Sequence, residues 1–505
     1  MTSWRDMLNG FLTALAMLPL LSGLHLASAI SPILSLALAV GIGAASSRLK
    51  PECGVAVLVA VIGYTMFLQA LLLPAIDPAL IFVFPPLLTL AVMGGLAGGY
   101  LVAYRRSALE LAQQTERRWL VMLGLVMLGI GAYGVVGMAR ADIVGVGYYA
   151  RMLVWPLAVA GVCVLVLRGN SIERLATVVA GALMPVLAIY ALEAWLGTEW
   201  YRLVNAVRFE ELKYGSATEM ADILNSLHRP ALNLGGQFSR LGIEFGADLP
   251  SLRYMGPDMH HVSSGYLLLG LTVALLVSRL WPLALVPIAL LLITGVKGPL
   301  IILGLIAIAC VAVRFGFLFV ATGSAAVVGG LLMIAIGIAS CDPHVRGLLG
   351  GVAGFAEYPH GQGFGIGGNH GERPVWQADG DVPRGEWDAP FGGCHWHKHG
   401  YESAFGALIY QVGVLAMLVL ALAIHGLRRF AARAQESGVP TRRATAVLVA
   451  SGVGLLLTSF FQEEALSPTA MTVPLILLVS AAVSTGHSRQ EGRRDKAGSE
   501  AAGDL

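Results

Sequence analysis

The stretch GGCHWHKHGYESAFGALIYQVGVLAMLVL, residues 392–420, changes character halfway. It opens with Cys394, His395, His397 and His399 and then runs without interruption into apolar residues. A helix over the expected span 404–424 would be about 30 Å long, the thickness of a bilayer's hydrocarbon core. The polar half then lies where the chain leaves the membrane, and the apolar half crosses it. Runs of the same kind recur along the chain. The 505 residues are 56% hydrophobic and 13% charged, with a mean hydropathy of +0.73. Soluble domains carry about a quarter charged residues, so this reads as an all-α polytopic membrane protein. Its formal net charge of +2 is no sign of nucleic-acid binding, because the basic residues fall in short loops between apolar runs.

Spans are expected near 10–28, 29–47, 54–73, 79–104, 119–138, 152–167, 175–195, 263–279, 281–295, 299–313, 316–340, 404–424, 445–461 and 470–486. That amounts to about 12–14 transmembrane helices, since neighbouring short runs can fuse or break. The first resembles a signal peptide, with Ala27-Ser28-Ala29 as a small-residue site, but a second apolar run follows directly and both are read as membrane helices. When the spans are counted off, Arg5, Arg48 and Lys50, Arg105 and Arg106, Arg168 and Arg174, Arg279, Arg314, Arg428 and Arg429, and the 489–496 tail share one side. By the positive-inside rule that side is cytoplasmic. The organisation expected is N-terminal membrane helices over 1–195, a long outer loop over 196–262, and central helices over 263–340. A second long outer loop over 341–403, C-terminal helices over 404–486 and a disordered cytoplasmic tail over 487–505 complete it.

Connections longer than about 15 residues are uncommon unless they work or are disordered. The two outer loops are rich in Gly, His, Trp and charge, so function is expected there; the first also carries a predicted short helix at 219–228. Cys341 and Cys394 stand near the ends of the second loop, and on an oxidising face they are expected to form a disulfide. That pairing argues against a zinc or copper site at HWHKH, where no second cluster of Cys or His accompanies the alternating histidines. No metal and no cofactor are expected.

In the first loop RYMGPDMHHVSSGYL (253–267) runs straight into a span, placing Arg253 and His260 just above the bilayer, with Arg240 shortly before. Lipid-facing Arg and His can snorkel at such a place, but an Arg, a Gly-Pro turn and a His pair within nine residues are more than snorkelling needs. GVKGPL (295–300) makes a tight outer turn carrying Lys297, and Gly361–Gly368 (GQGFGIGG) is a glycine-rich turn in the second loop. Arg253-x-x-Gly256-x-x-x-His260 resembles the R-x-x-G-x-x-x-H-P-N signature of the superfamily of O-antigen ligases and polymerases, membrane glycan transferases. ITGVKGPL is similar to its T-x-S-R-G-x-L turn, with Lys297 where Arg is usual. GQGFGIGG followed by ESAFGALIYQVGVLA resembles its G-x-G-x-G loop and re-entry helix. The likeness covers roughly 235–420. His261 and Val262 replace the family's Pro-Asn pair, and Glu402 stands where ligases tend to have His and several polymerases an acid, which tilts the reading toward a polymerase.

The resemblance implies transfer of a glycan from an undecaprenyl-pyrophosphate carrier to a sugar hydroxyl of a glycan or lipid-linked acceptor, at the outer face of a bacterial inner membrane. Charge grows on the departing pyrophosphate, and fixed cations stabilise it, Arg best through its bidentate fork. Arg253, Arg240 and Lys297 are the candidates for that role. A base must take the acceptor's proton; His260 and Glu402 are the candidates, with His399 third. The rival reading is a lipid-glycan transporter or flippase without catalytic activity. Transporters place ionisable groups on broken helices at mid-membrane, often in inverted repeats, whereas these spans look nearly free of charge and show no repeat.

Overall fold

The computed structural model describes residues 2–77, 84–103, 117–166, 171–214, 220, 254–368, 385–386, 395–396, 402–437 and 441–482. Helices make up almost all of it. Thr2–Ile30, Pro32–Ser46, Pro51–Leu71, Phe84–Ala103, Arg117–Met138, Ile143–Val166 and Ile172–Leu196 come first, followed by the short Thr198–Leu203 and Ala206–Tyr214. Then come His261–Val277, Leu285–Thr294, Lys297–Ala312, Leu318–Ser340, Pro343–Glu357, Ala404–Val412, Val414–Ser437 and Arg442–Ser459, and last Pro468–Ala482. Gly385–Glu386 pairs antiparallel with His395–Trp396, a ladder of two residues on each side.

Eight of the described helices are long and apolar enough to cross a membrane, and five more apolar helices are 10–17 residues long. By length and composition these helices suit a multi-pass membrane protein; among the described residues eight are of full crossing length, where twelve to fourteen spans were expected, and the five shorter ones match further expected spans. An apolar medium leaves backbone groups no partner but each other, so the apolar runs must coil. Their surface agrees with that medium: Ile30, Ile33 and Val102 are each about four-fifths exposed. Where the chain turns, specific residues supply the ends. The Asp342 side chain accepts from the N–H groups of His344 and Val345, and that of Ser403 from Gly406 N–H.

Small residues let helix axes approach. A Cβ on Gly10 would meet Val178 O, and one on Gly181 would meet Met7 O, so Thr2–Ile30 and Ile172–Leu196 touch backbone to backbone. Gly43 and Gly95 join Pro32–Ser46 to Phe84–Ala103 in the same way.

One end of the bundle is ionic. Arg174 Nε lies 3.4 Å from Asp6 Oδ1 and 3.5 Å from Glu52 Oε1, Arg279 Nε is 2.7 Å from Glu173 Oε2, and Arg443 donates to Ser278 O at 2.8 Å. These contacts gather the starts of four helices and the end of His261–Val277. The spans therefore carry more charge than the sequence suggested. Asp6, Glu52, Glu173, Arg174 and Glu193 all lie within helices able to cross. Four of the five stand before the expected spans 10–28, 54–73 and 175–195, because these helices begin ahead of their apolar runs; Glu193 falls inside one.

Three boundaries differ from expectation. The span placed at 152–167 begins at Ile143; Arg151, which interrupts the apolar run, is held with its guanidinium 4.4 Å above the Tyr148 ring. The span placed at 404–424 is broken by Gly413, whose φ of 53° and approach to Pro359 O leave no room for a side chain, and its second half runs on to Ser437. The long loop expected over 341–403 holds an unforeseen helix, Pro343–Glu357. Gly347 and Gly351 on it pack against Gly406, so backbone touches backbone here too. The expected helix at 219–228 lies outside the described residues except Met220, as does the 487–505 tail.

Candidate functional site

At the end opposite the ion pairs, the starts of His261–Val277, Lys297–Ala312 and Pro343–Glu357 meet the ends of Leu318–Ser340 and Arg442–Ser459. Two cavities lie among them. One, of about 110 Å³, is mainly apolar, walled by Ile301, Met333, Ile336, Val345 and Phe461. The other, of about 210 Å³, is bordered by His261, Val262, Gly295 and Val296. Lys297, His344 and Gln462 line both. An apolar chamber thus adjoins a roomier one across a wall of three polar side chains.

Each wall residue has a local reason for its place. Gly295, in the left-handed region at φ 62°, ends Leu285–Thr294 and lets the chain turn back, so that Lys297 opens the next helix. The Lys297 side chain makes no hydrogen bond or ion pair that holds it among the described residues. Gln462 Oε1 accepts from Tyr266 Oη at 3.1 Å, which leaves its amide N–H groups to act as donors.

His344 lies 3.0 Å from Glu402 O through Nδ1. A carbonyl only accepts, so Nδ1 carries the proton and Nε2 is left to accept or donate elsewhere. The Glu402 carboxylate is 3.8 Å from the same Nδ1. Burial raises the Glu402 carboxyl above its ordinary value, and the neighbouring His344 pulls it partly back. Glu402 also sits at φ 62° without being a glycine, a conformation that persists only where its surroundings enforce it. Ser403 Oγ helps enforce it by donating to Phe460 O at 2.7 Å.

The turn before His261–Val277 is tied down from two sides. Ser264 Oγ donates to Met255 O at 2.6 Å and accepts from Asp258 N–H at 3.0 Å. Glu193 binds Met255 N–H and Gly256 N–H from the neighbouring helix. His260 closes the turn as the helix N-cap, with Nδ1 3.3 Å from Ser263 Oγ and its ring 5.1 Å from that of His261.

The structure therefore brings Lys297 to the cavity wall, and Glu402 joins it through His344. His260 stands one residue from the rim, and it is His261 that lines the larger cavity. Arg253, Arg240 and His399 lie outside the described residues, as do His397 and Cys394. Cys341 is disulfide-bonded, while Cys53, Cys163 and Cys310 are free. Among the described residues no group of three His, Cys, Asp or Glu could hold a metal.

The glycine-rich turn is a packing device. Gly363 N–H donates to Gln411 O at 2.8 Å and Gln362 N–H to Tyr410 O at 3.2 Å, and Gln411 Nε2 donates to Gly367 O at 3.1 Å. The N–H groups of Gln362, Gly363 and Gly365 are thus engaged with the broken helix, and that of Phe364 with Tyr133 O. Sequence reasoning missed His344, Gln462 and Glu193. Each is a single polar residue beside or within an apolar run, and only the fold shows its partners. No family model, curated protein or solved structure matches the chain.

Proposed function

We propose that the chain is a membrane glycosyltransferase of polysaccharide assembly. It would move a glycan from an undecaprenyl-pyrophosphate carrier to a sugar hydroxyl, as a polymerase or a ligase, at the outer face of a bacterial inner membrane. The observation that carries the reading is the shared wall: a cation, a histidine and an amide donor line both of two adjoining, mainly apolar cavities. That is the pattern an amphiphile with an anionic head would meet. The motif likeness in 235–420 supports the same reading.

The acceptor oxygen attacks the sugar C1, the bond from C1 to the phosphate oxygen breaks, and the lipid pyrophosphate leaves with the electron pair. Lys297 and the amide of Gln462 face that growing charge, with Arg253 and Arg240 as further cations from the sequence. The hydroxyl proton goes to a base. Glu402 and His260 are the sequence candidates, and the free Nε2 of His344 makes a third, held in its tautomer by Glu402 O.

The rival, a lipid-glycan flippase, is favoured by Gln69, fully buried in Pro51–Leu71 with neither amide atom bonded among the described residues. A deletion strain separates the two. Complementation with His260→Ala or His344→Ala should leave lipid-linked donor accumulating outside the membrane without polymer or ligated product. Donor accumulating only on the cytoplasmic side would favour the flippase.

A further inference from the structure

Glu193 has a set of partners that neither a membrane span nor a catalytic role explains. The residue is 1% exposed. Oε1 accepts from Met255 N–H at 2.7 Å and from Tyr201 Oη at 2.8 Å, and Oε2 accepts from Gly256 N–H at 2.9 Å. A carboxylate accepting from two consecutive backbone N–H groups and a hydroxyl has most of its lone pairs committed to holding the fold. Tyr201 steadies it from the neighbouring short helix, and what it grips is the turn Tyr254–His260. That turn needs gripping, because Gly256 and Met259 both sit at positive φ, 62° and 51°, and it leads directly into His260 and His261.

We propose that Glu193 is a positioning residue of the candidate site. Through the Met255 and Gly256 amides it holds the His260–His261 pair at the rim of the cavity, without touching substrate. The inference rests on reading the Lys297, His344 and Gln462 cavity as the working site. An amide in place of the carboxylate keeps the volume but turns one acceptor into a donor that faces a backbone N–H, so the turn loses half its grip. The helix itself keeps all its backbone bonds. The expected signature is a loosened turn in an otherwise folded protein.

The experiment uses full-length protein in nanodiscs, comparing wild type with Glu193→Gln and Glu193→Asp, and reads hydrogen exchange, maleimide labelling and glycan output. In Glu193→Gln the amides of 255–260 should exchange at least tenfold faster, while those of Ile172–Leu196 and of the body of His261–Val277 keep their protection. A His261→Cys reporter should react with N-ethylmaleimide at a rate changed severalfold by Glu193→Gln. Surface glycan in a complemented deletion strain should fall at least tenfold at unchanged protein level, and Glu193→Asp should recover part of each change. Should Glu193→Gln not fold, Tyr201→Phe removes one donor of three and should give the same pattern at smaller size. Unchanged exchange at 255–260, or faster exchange with unchanged labelling and glycan output, overturns the inference. If wild type itself makes no glycan, the functional reading fails. Exchange and labelling then still decide: a change in both keeps the clamp, and no change in either removes it.

Discussion

Replacing Gly256 by Ala tests how the rim is built. Two costs are separable there. The residue sits at φ 62°, which costs an L side chain about 1 kcal/mol. A Cβ would also lie 2.6 Å from Ser264 Cβ and 3.0 Å from Tyr190 Cζ, well inside contact distance, so Ser264 must move by nearly an ångström. Ser264 is fully buried and bonds both Met255 O and Asp258 N. Stranding buried polar groups of this kind costs about 1–3 kcal/mol each, so with two of them and the backbone cost the total is roughly 3–7 kcal/mol in the variant. Gly316 is the control. Its φ is 79° with nothing within 4 Å of the added Cβ, so Gly316→Ala should cost only the backbone term, about 1 kcal/mol. Thermal unfolding of both variants in the same nanodiscs reads the difference, and hydrogen exchange at 254–264 locates it. Equal losses, or a loss at 256 without faster exchange around Ser264, would refute the packing argument.

Three further outcomes follow from the same geometry. Burial raises the Glu402 carboxyl, so its contribution to stability is present below the ordinary carboxyl value and is lost as pH rises through the raised one; Glu402→Gln should unfold at a higher temperature than wild type near pH 8 and lose that advantage near pH 4, and a gap that grows toward acid contradicts the sign. Lys297→Ala should cut glycan output about 10²–10³-fold while Lys297→Arg keeps most of it, and equal loss in both would mean the lysine is needed for its shape. If Cys394 is the partner of the disulfide-bonded Cys341, the closed loop of about 50 residues contributes about 4 kcal/mol in the chain-entropy treatment; alkylated protein running identically on reducing and non-reducing gels excludes the pair.

Much of the scaffold was legible because a crossing helix must be a long apolar run. Pro51–Leu71, Ile172–Leu196 and Leu318–Ser340 each lie within a few residues of their expected spans. The misreadings share a cause. Gly413 breaks a helix inside an unbroken apolar run, since what stops it is a close approach to Pro359 O that no sequence displays. Pro343–Glu357 hid in a glycine-rich loop because its small residues serve contact with Gly406 rather than turns. At the site, Lys297 was legible as a lone cation in a tight turn and Glu402 as the acid opening a re-entry segment. His344 could be recognised only once Glu402 O was seen to fix its tautomer, Gln462 only beside Tyr266, and Glu193 only with the turn it holds.

The central claim is that this chain transfers glycan from a lipid pyrophosphate at the Lys297, His344 and Gln462 wall. Its most direct test is a reconstituted reaction in nanodiscs, with purified undecaprenyl-pyrophosphate-linked glycan as donor and no nucleotide. The account predicts that each new glycosidic bond is matched by one released undecaprenyl pyrophosphate, and that both signals vanish together in Lys297→Ala and His344→Ala. Donor recovered chemically unchanged from folded wild type supplied with an acceptor glycan would contradict it.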